Sequence, residues 1–446
     1  MISSSNIVYN KKEVILIVSL YCFVALTSIF NLGIIAPVGF IFLLTICAFT
    51  SPRTGFLALI AMFYLPMGGV RIPTVFIIST IIVGVVNILK NRGENWYVAN
   101  KSIIILYSIF LLLRLVSITF VGNQAAFESY FMVSASVLIH IIVISFLVKS
   151  KEDIMYILRM WGVIGAFTAI LGYLHFLMGE SVYLRQIYIP SGNYDKSMID
   201  GILDYARWIW AGVEPNFHGL ILLIPFAINF SFLIKKANPL NIALAIMTFF
   251  GIIGTFSRSS FIVSLFIVSL YVILPQNKRK IKFQRFFLIA VFLSIVTLLI
   301  TTYFPVFIDR IYTIQEAATS GQGSGRLPLF QEAINNFMSN PFFGIGTGQT
   351  ASLSRVHLES HNLFLQTLGE NGIFSFLILL SIFWGYLRKS YVLRSDTLVF
   401  FVAGIAIIIN ANTVSYFDMR MFFSLYVLLN FYYLWHDNSR NIKSYE

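Results

Sequence analysis

The stretch from Ser259 to Tyr303 reads SSFIVSLFIVSLYVIL (259–274), then PQNKRKIKFQR (275–285), then FFLIAVFLSIVTLLITTY (286–303). Two apolar runs without a charge flank a loop that carries Lys278, Arg279, Lys280, Lys282 and Arg285. A helix rises about 1.5 Å per residue, so runs of this length approach the roughly 30 Å of hydrocarbon that a spanning helix crosses. Inside a bilayer each backbone N–H and C=O must be satisfied within the protein, which makes these runs helices. Basic residues collect in cytoplasmic loops, so 275–285 is expected inside. The reading is an all-α polytopic membrane protein.

The same pattern extends over the whole chain. Of its 446 residues 58% are hydrophobic and 11% charged, against about 25% charged in an ordinary soluble protein. That excludes a soluble globular enzyme, a disordered chain and a secreted disulfide scaffold. At about 20 apolar residues per span, 13 or 14 helices are available, and the runs divide into about 14. Those used below are Ser102 to Val121 (fifth), Gly212 to Ile234 (eighth), Ser259 to Leu274 (tenth), Asn362 to Leu387 (twelfth), Thr397 to Asn412 (thirteenth) and Met419 to Trp435 (fourteenth). Lys11 and Lys12 before the first run superficially resemble a signal peptide, but further apolar runs follow, and a retained first span is expected.

The net charge of +12 follows from topology rather than from nucleic-acid binding. With both termini cytoplasmic, 20 of the 31 basic residues fall in inside segments, including Arg53, Lys90, Lys149, Lys235, Arg388 and Arg394, which satisfies the positive-inside rule. Cys22 and Cys47 lie within apolar runs and fit neither a disulfide nor a metal site. The chain is read as one integral membrane domain, 1–446, with two long outside loops, 179–211 and 304–361. Loops on a rigid scaffold carry function, so the chemistry is expected outside, at the membrane surface.

The second loop is the more informative. Its Ser320-Gly-Gln-Gly-Ser-Gly325 stretch leads into Arg326. Apolar residues then recur at Leu327, Phe330, Ile334 and Phe337, the pattern of a short amphipathic helix near 327–338 on the membrane surface. Asn340-Pro341 ends it, and Phe342-Phe-Gly-Ile-Gly-Thr-Gly-Gln349 reads as a flexible glycine-rich hinge. Its Gly344-x-Gly346-x-Gly348 has no preceding strand and is no nucleotide loop.

At the twelfth span Asn362, Gln366 and Glu370 are spaced four apart. They form one polar stripe descending about 12 Å, below His361. Polar groups at that depth face protein or water; helix–helix packing is the simpler use. Arg258, in Ser257-Arg-Ser-Ser260, Arg207 and Arg326 bring guanidinium groups to the same side, and guanidinium binds phosphate through paired hydrogen bonds. Together with the histidine they suggest a pocket for a lipid diphosphate. Arg114, midway along the fifth span, is costly unless paired, and Glu370 is the expected partner. His357-x-x-x-His361 has ligand-like spacing but no third ligand, so no metal is expected.

These motifs resemble the O-antigen ligase and O-antigen polymerase superfamily of bacterial inner membranes. The residues that carry the resemblance are Gly212-Val-Glu-Pro-Asn-Phe-His-Gly219, Thr255-Phe-Ser-Arg-Ser-Ser260, Ser324-Gly-Arg-Leu-Pro-Leu-Phe330, Asn340-Pro-Phe-Phe-Gly-Ile-Gly-Thr-Gly348 and Ser360-His-Asn-Leu-Phe-Leu-Gln-Thr-Leu-Gly-Glu-Asn-Gly372. The resemblance implies a GT-C-like fold and glycosyl transfer from undecaprenyl-diphosphate-linked sugars on the periplasmic face. It makes His361 the loop histidine, with Arg258 and Arg326 binding the diphosphate and Arg207 a looser match. Asn216, Glu214, Asn362, Gln366 and Glu370 would support them, and either Glu214 or Glu370 could assist His361.

Chemistry fits that assignment. A diphosphate leaves readily once its charge is neutralised, which arginines do without metal or cofactor. The attacking sugar hydroxyl loses its proton to an imidazole, and direct attack inverts the anomeric carbon. The Gly-Ser-Gly-Arg entry, the aromatic-rich composition and the extra spans look more like a polymerase, which joins lipid-linked repeat units and works beside a chain-length regulator. A ligase transferring polymer to lipid A-core is the alternative, and a lipid-linked oligosaccharide flippase a second. The expected partners are therefore the lipid-linked oligosaccharide and inner-membrane lipids, with no nucleic acid.

Overall fold

The computed structural model describes residues 10–29, 35–64, 72–90, 100–121, 132–177, 215–274, 326–350, 360–395, 397–413 and 420–443, with isolated positions between 290 and 301. Among these residues the secondary structure is helical throughout. The helices are α1 (Lys11–Ile29), α2 (Ile35–Thr50), α3 (Pro52–Ala61), α4 (Ile72–Lys90), α5 (Lys101–Val121), α6 (Met132–Ile144) and α7 (Lys151–Leu177). There follow α8 (Pro215–Lys235), α9 (Pro239–Gly254), α10 (Arg258–Ile273), α11 (Arg326–Ser339), α12 (Leu363–Val392), α13 (Leu398–Asn410) and α14 (Arg420–Lys443). Four stretches, Lys101–Thr119, Lys151–Leu174, Asn216–Lys235 and Leu363–Ser395, are long and apolar enough to cross a membrane. Several apolar helices of 10–17 residues accompany them. This is the architecture of an all-α, multi-pass membrane protein.

Small residues let the central helices approach closely, as expected where lipid gives no hydrophobic drive between helices. A Cβ on Gly165 would lie 2.1 Å from Pro225 Cβ, and one on Gly251 2.4 Å from Ala169 Cβ. These contacts lock α7, α8 and α9 together. Asn229 ties the same three, donating to Gly162 O at 2.8 Å and Thr248 Oγ1 at 2.9 Å. Exposed apolar side chains such as Phe42, Leu112, Ile273 and Trp384 point outward from the bundle, where acyl chains would meet them.

The bundle has two chemically distinct ends. At one, Arg53 opens α3 and pairs with Glu13 of α1 at 2.9 Å and Asp153 of α7 at 3.6 Å. Lys90 at the end of α4 donates to the last carbonyls of α2, Phe49 at 2.6 Å and Thr50 at 3.1 Å. Lys389, near the end of α12, donates to Asn430 of α14 at 2.7 Å, and Asn430 donates to Asn100 ahead of α5 at 2.6 Å. The opposite end gathers the starts of α8, α10, α12 and α14 with the ends of α5 and α13. Ser117 of α5 meets Glu370 of α12 there, and Asn410 of α13 meets Ser260 of α10.

Candidate active site

His361 and Phe256 are the non-glycine residues with positive φ among the described residues, at +49° and +52°. Such a backbone is uncommon for a side chain with a Cβ, and histidine is one of the few residues enriched in it. In His361 it is pinned from both sides. Ser360 Oγ donates to Asn362 O at 3.1 Å, and Asn362 caps α12, its Oδ1 accepting from the N–H groups of Phe364 at 3.0 Å and Leu365 at 3.1 Å. The backbone at half-buried His361 is therefore held at the mouth of α12 by a serine and a capping asparagine.

Below it Asn362, Gln366 and Glu370 are buried, at 9, 5 and 1% exposure. Gln366 Nε2 donates to Glu370 Oε1 at 3.3 Å, and the same oxygen accepts from Thr350 N at 3.2 Å. The stripe leads to a break in the helix. Gly372 has φ +73° and ψ −176°, far from helical values. In an unbroken helix the carbonyls of Gly369 and Glu370 would accept from residues 373 and 374. Instead they accept from Ile345 N and Gly346 N, both at 3.0 Å, and Ile373 N donates to Pro341 O at 2.8 Å. Ser117 Oγ also donates to Glu370 O, at 2.7 Å, and Thr347 Oγ1 bonds Asn371 Oδ1.

The segment 341–350 is consequently a docked strap, which corrects the expectation of a flexible hinge. Its glycines are there for close approach. A Cβ on Gly344 would lie 2.2 Å from the carbonyl carbon of Glu370, and one on Gly372 2.1 Å from Phe342 O. Helix α11, whose first residue is Arg326, packs on the same place, because Gly369 lies against Ala333 O, 2.8 Å from where a Cβ would be.

Arg258 belongs to a neighbouring cluster. It is the first residue of α10, half-buried, and Ser257 caps that helix by accepting from Ser260 N at 3.5 Å. Asn410 Nδ2 donates to Ser260 Oγ at 3.2 Å and Thr413 Oγ1 to Ser259 Oγ at 3.1 Å. Gly219, close to the start of α8, packs on Ser260, which brings in the first turn of α8 and Asn216. The structure thus assembles His361, Asn362, Gln366, Glu370 and the middle of α11 at Ala333 in one cluster, and Arg258 with the starts of α8 and α10 in another at the same end. Arg207, Glu214 and His357 lie outside the described residues, as does the whole of loop 179–211. No group of three or more His, Cys, Asp or Glu side chains arranged to hold a metal occurs among the described residues.

The expected Arg114–Glu370 ion pair does not form. Arg114 Nη1 donates to Ser134 Oγ of α6 at 2.5 Å, with its Cζ 5.7 Å from the centroid of Phe110. Glu370 meets α5 through its backbone carbonyl and Ser117. Ser117, Ser134, Thr347 and Thr350 were silent in the sequence, because a lone hydroxyl in an apolar or glycine-rich run has no spacing signal.

A helical membrane protein with a polar, strap-supported helix break beneath an exposed-end histidine is the class that fold and site define. A stretch of the chain, residues 242–380, matches the family described as O-Antigen ligase. It runs from α9 into α12 and contains Arg258, Arg326, His361 and Glu370. The chain is also similar to the ComP-specific O-oligosaccharyltransferase of Acinetobacter baylyi, 27% identical over 211 residues, which is 42% of this chain and 37% of that protein.

Proposed function

We propose that the protein is a glycosyltransferase that uses undecaprenyl-diphosphate-linked oligosaccharide as donor at the periplasmic face of the bacterial inner membrane. The observation that carries the reading is His361, held in a left-handed backbone at the mouth of the buried Asn362–Gln366–Glu370 stripe, within the stretch that matches the ligase family. His361 takes the proton from the attacking sugar hydroxyl. Arg258 and Arg326 neutralise the departing diphosphate, where preorganised charge has its largest effect. The step breaks the anomeric C–O bond to phosphate and forms a new glycosidic bond with inversion. Glu370 acts through structure: its carboxylate holds the strap and its carbonyl accepts from Ser117.

For the acceptor we propose a second lipid-linked repeat unit, which makes the protein an O-antigen polymerase. A ligase-type transfer to a different acceptor is the second reading, favoured by the match to the O-Antigen ligase family and by the name of the Acinetobacter relative. Deleting the gene in its host and resolving lipopolysaccharide, lipid-linked sugars and glycoproteins on gels separates them. Core carrying one repeat and no ladder means a polymerase. Bare core with polymer stranded on undecaprenyl diphosphate means a lipid A-core ligase. Loss of glycan from a protein with the ladder intact means an oligosaccharyltransferase. If all three are unchanged, the enzymatic reading falls.

A further inference from the structure

Arg114 is a buried cation with no carboxylate partner among the described residues. Phe110, Arg114 and Ser117 are spaced four and three apart, so they share one face of α5. Ser117 on that face bonds Glu370 of α12, and Arg114 bonds Ser134 of α6. The guanidinium has five N–H donors; Ser134 Oγ takes one, and the Phe110 ring lies near the limit of cation–π range. No ion pair to Arg114 occurs among the described residues, and Glu370 Oε1 accepts from Thr350 and Gln366. A charge in a span is normally paired, or reaches the interface by snorkelling, yet Arg114 is 8% exposed.

Its depth matters as much as its partners. Ser134 is the third residue of α6, so the guanidinium lies at the first turn of that helix, at the end of the bundle that carries His361. Arg420, the first residue of α14, donates to Ser136 two residues further along α6, at 2.6 Å. Two guanidinium groups thus flank the start of α6.

We propose that Arg114 is a binding residue for a phosphate-type group of the lipid-linked substrate, received at the α5–α6 seam beside Ser117 and Ser134. The inference rests on the transferase reading above and deepens it. A polymerase handles two lipid diphosphates at once, donor and acceptor, and Arg258 with Arg326 serves one of them. The same phosphate chemistry is offered by a phospholipid headgroup, so the test uses both.

The full chain is purified into phosphatidylcholine nanodiscs, and binding of undecaprenyl diphosphate and of phosphatidylglycerol is measured by native mass spectrometry. The expected result is that Arg114→Gln weakens undecaprenyl diphosphate binding about tenfold or more, with Arg114→Lys intermediate because an ammonium cannot bond in a bidentate manner. Arg114→Leu is expected to bind as weakly while unfolding at the same temperature as wild type or higher, because an uncompensated buried charge has been removed. Equal affinity in Arg114→Gln, or a large loss of thermal stability in Arg114→Leu, overturns the inference and makes Arg114 structural. A loss confined to phosphatidylglycerol overturns it in favour of a headgroup anchor. Failure of the wild type to bind undecaprenyl diphosphate removes the transferase reading as well, a result distinct from wild-type binding that the variants leave unchanged.

Discussion

Two arginines at opposite ends of the helical bundle, Arg53 and Arg114, are held in opposite ways. At the basic end Arg53 is held between Glu13 and Asp153 and also lies 4.5 Å from the Tyr156 ring, so one cation staples α1, α3 and α7. At the other end Arg114 meets a serine and a phenylalanine ring. A cation with a carboxylate already beside it is neutralised within the protein. One set among neutral groups keeps its field for a ligand. Arg53 thus belongs to the scaffold and Arg114 to the proposed site, but a neutral partner alone does not mark a site, because Arg159 of α7 bonds the Asn241 amide at 2.5 Å toward the basic end.

The comparison breaks most visibly at His361. His361→Ala is expected to lower transfer by about a thousandfold, the middle of the range for a lost general base, measured as product formed from lipid-linked donor by purified protein. Thermal unfolding should barely change, because Ser360 and Asn362 still cap α12. Retained turnover would remove the histidine from the mechanism. Arg258→Ala follows, with an expected loss of about a hundredfold, and Arg258→Lys should restore only part of it since a point charge cannot reproduce the fork of a guanidinium. If lysine restores full rate, Arg258 supplies field and no directed hydrogen bonds.

A third variant tests the strap. Replacing glycine by alanine inside a helix normally stabilises it by about 1 kcal/mol. At Gly372 the sign reverses, because φ is +73° and the new Cβ would lie 2.1 Å from the backbone oxygen of Phe342, an atom that no side-chain rotation can move. Gly372→Ala is expected to destabilise by about 3 kcal/mol and to lower activity by releasing 341–350 from α12. An unchanged melting temperature in detergent would show that the break does not hold the strap. Gly385→Ala gives the contrast: its Cβ would approach the Tyr426 hydroxyl, a side-chain atom, at 2.6 Å, and about 1 kcal/mol is expected.

How far sequence reaches into this molecule can be read from the same residues. The apolar runs Thr397 to Asn412 and Met419 to Trp435 correspond to α13 and α14 because apolar length alone specifies a helix in lipid. The polar stripe was legible because residues four apart share a helix face. The break was not, since Asn371-Gly372 sits inside a run that scores as continuous helix, and only the strap's backbone donors, 24 or more residues earlier in the chain (Ile345 to Gly369, Gly346 to Glu370), make the interruption affordable in hydrogen bonds. Arg114 shows the other limit. Its need for a partner was legible from the cost of a charge in a span, but which helix supplies Ser134 depends on packing, and the sequence suggested Glu370 instead.

The smallest expected effect on activity lies at the paired end, and it sharpens the comparison most. Arg53→Gln leaves Glu13, 4% exposed as a side chain, without its cation. Because Arg53 itself is 24% exposed and solvent screens part of the attraction, the expected destabilisation is about 1–2 kcal/mol rather than the larger loss seen when a fully buried pair is broken. Turnover should stay within about twofold, a change in rate of under about 0.5 kcal/mol. The double variant Glu13→Gln with Arg53→Gln should recover part of the lost stability, since an amide facing an amide removes the stranded charge at Glu13 while the more exposed Asp153 stays without its cation. Loss of activity in Arg53→Gln comparable to that in Arg258→Ala, at unchanged stability, would mean that charge pairing does not separate scaffold from site. The basic end would then have to be considered as a place where substrate is bound.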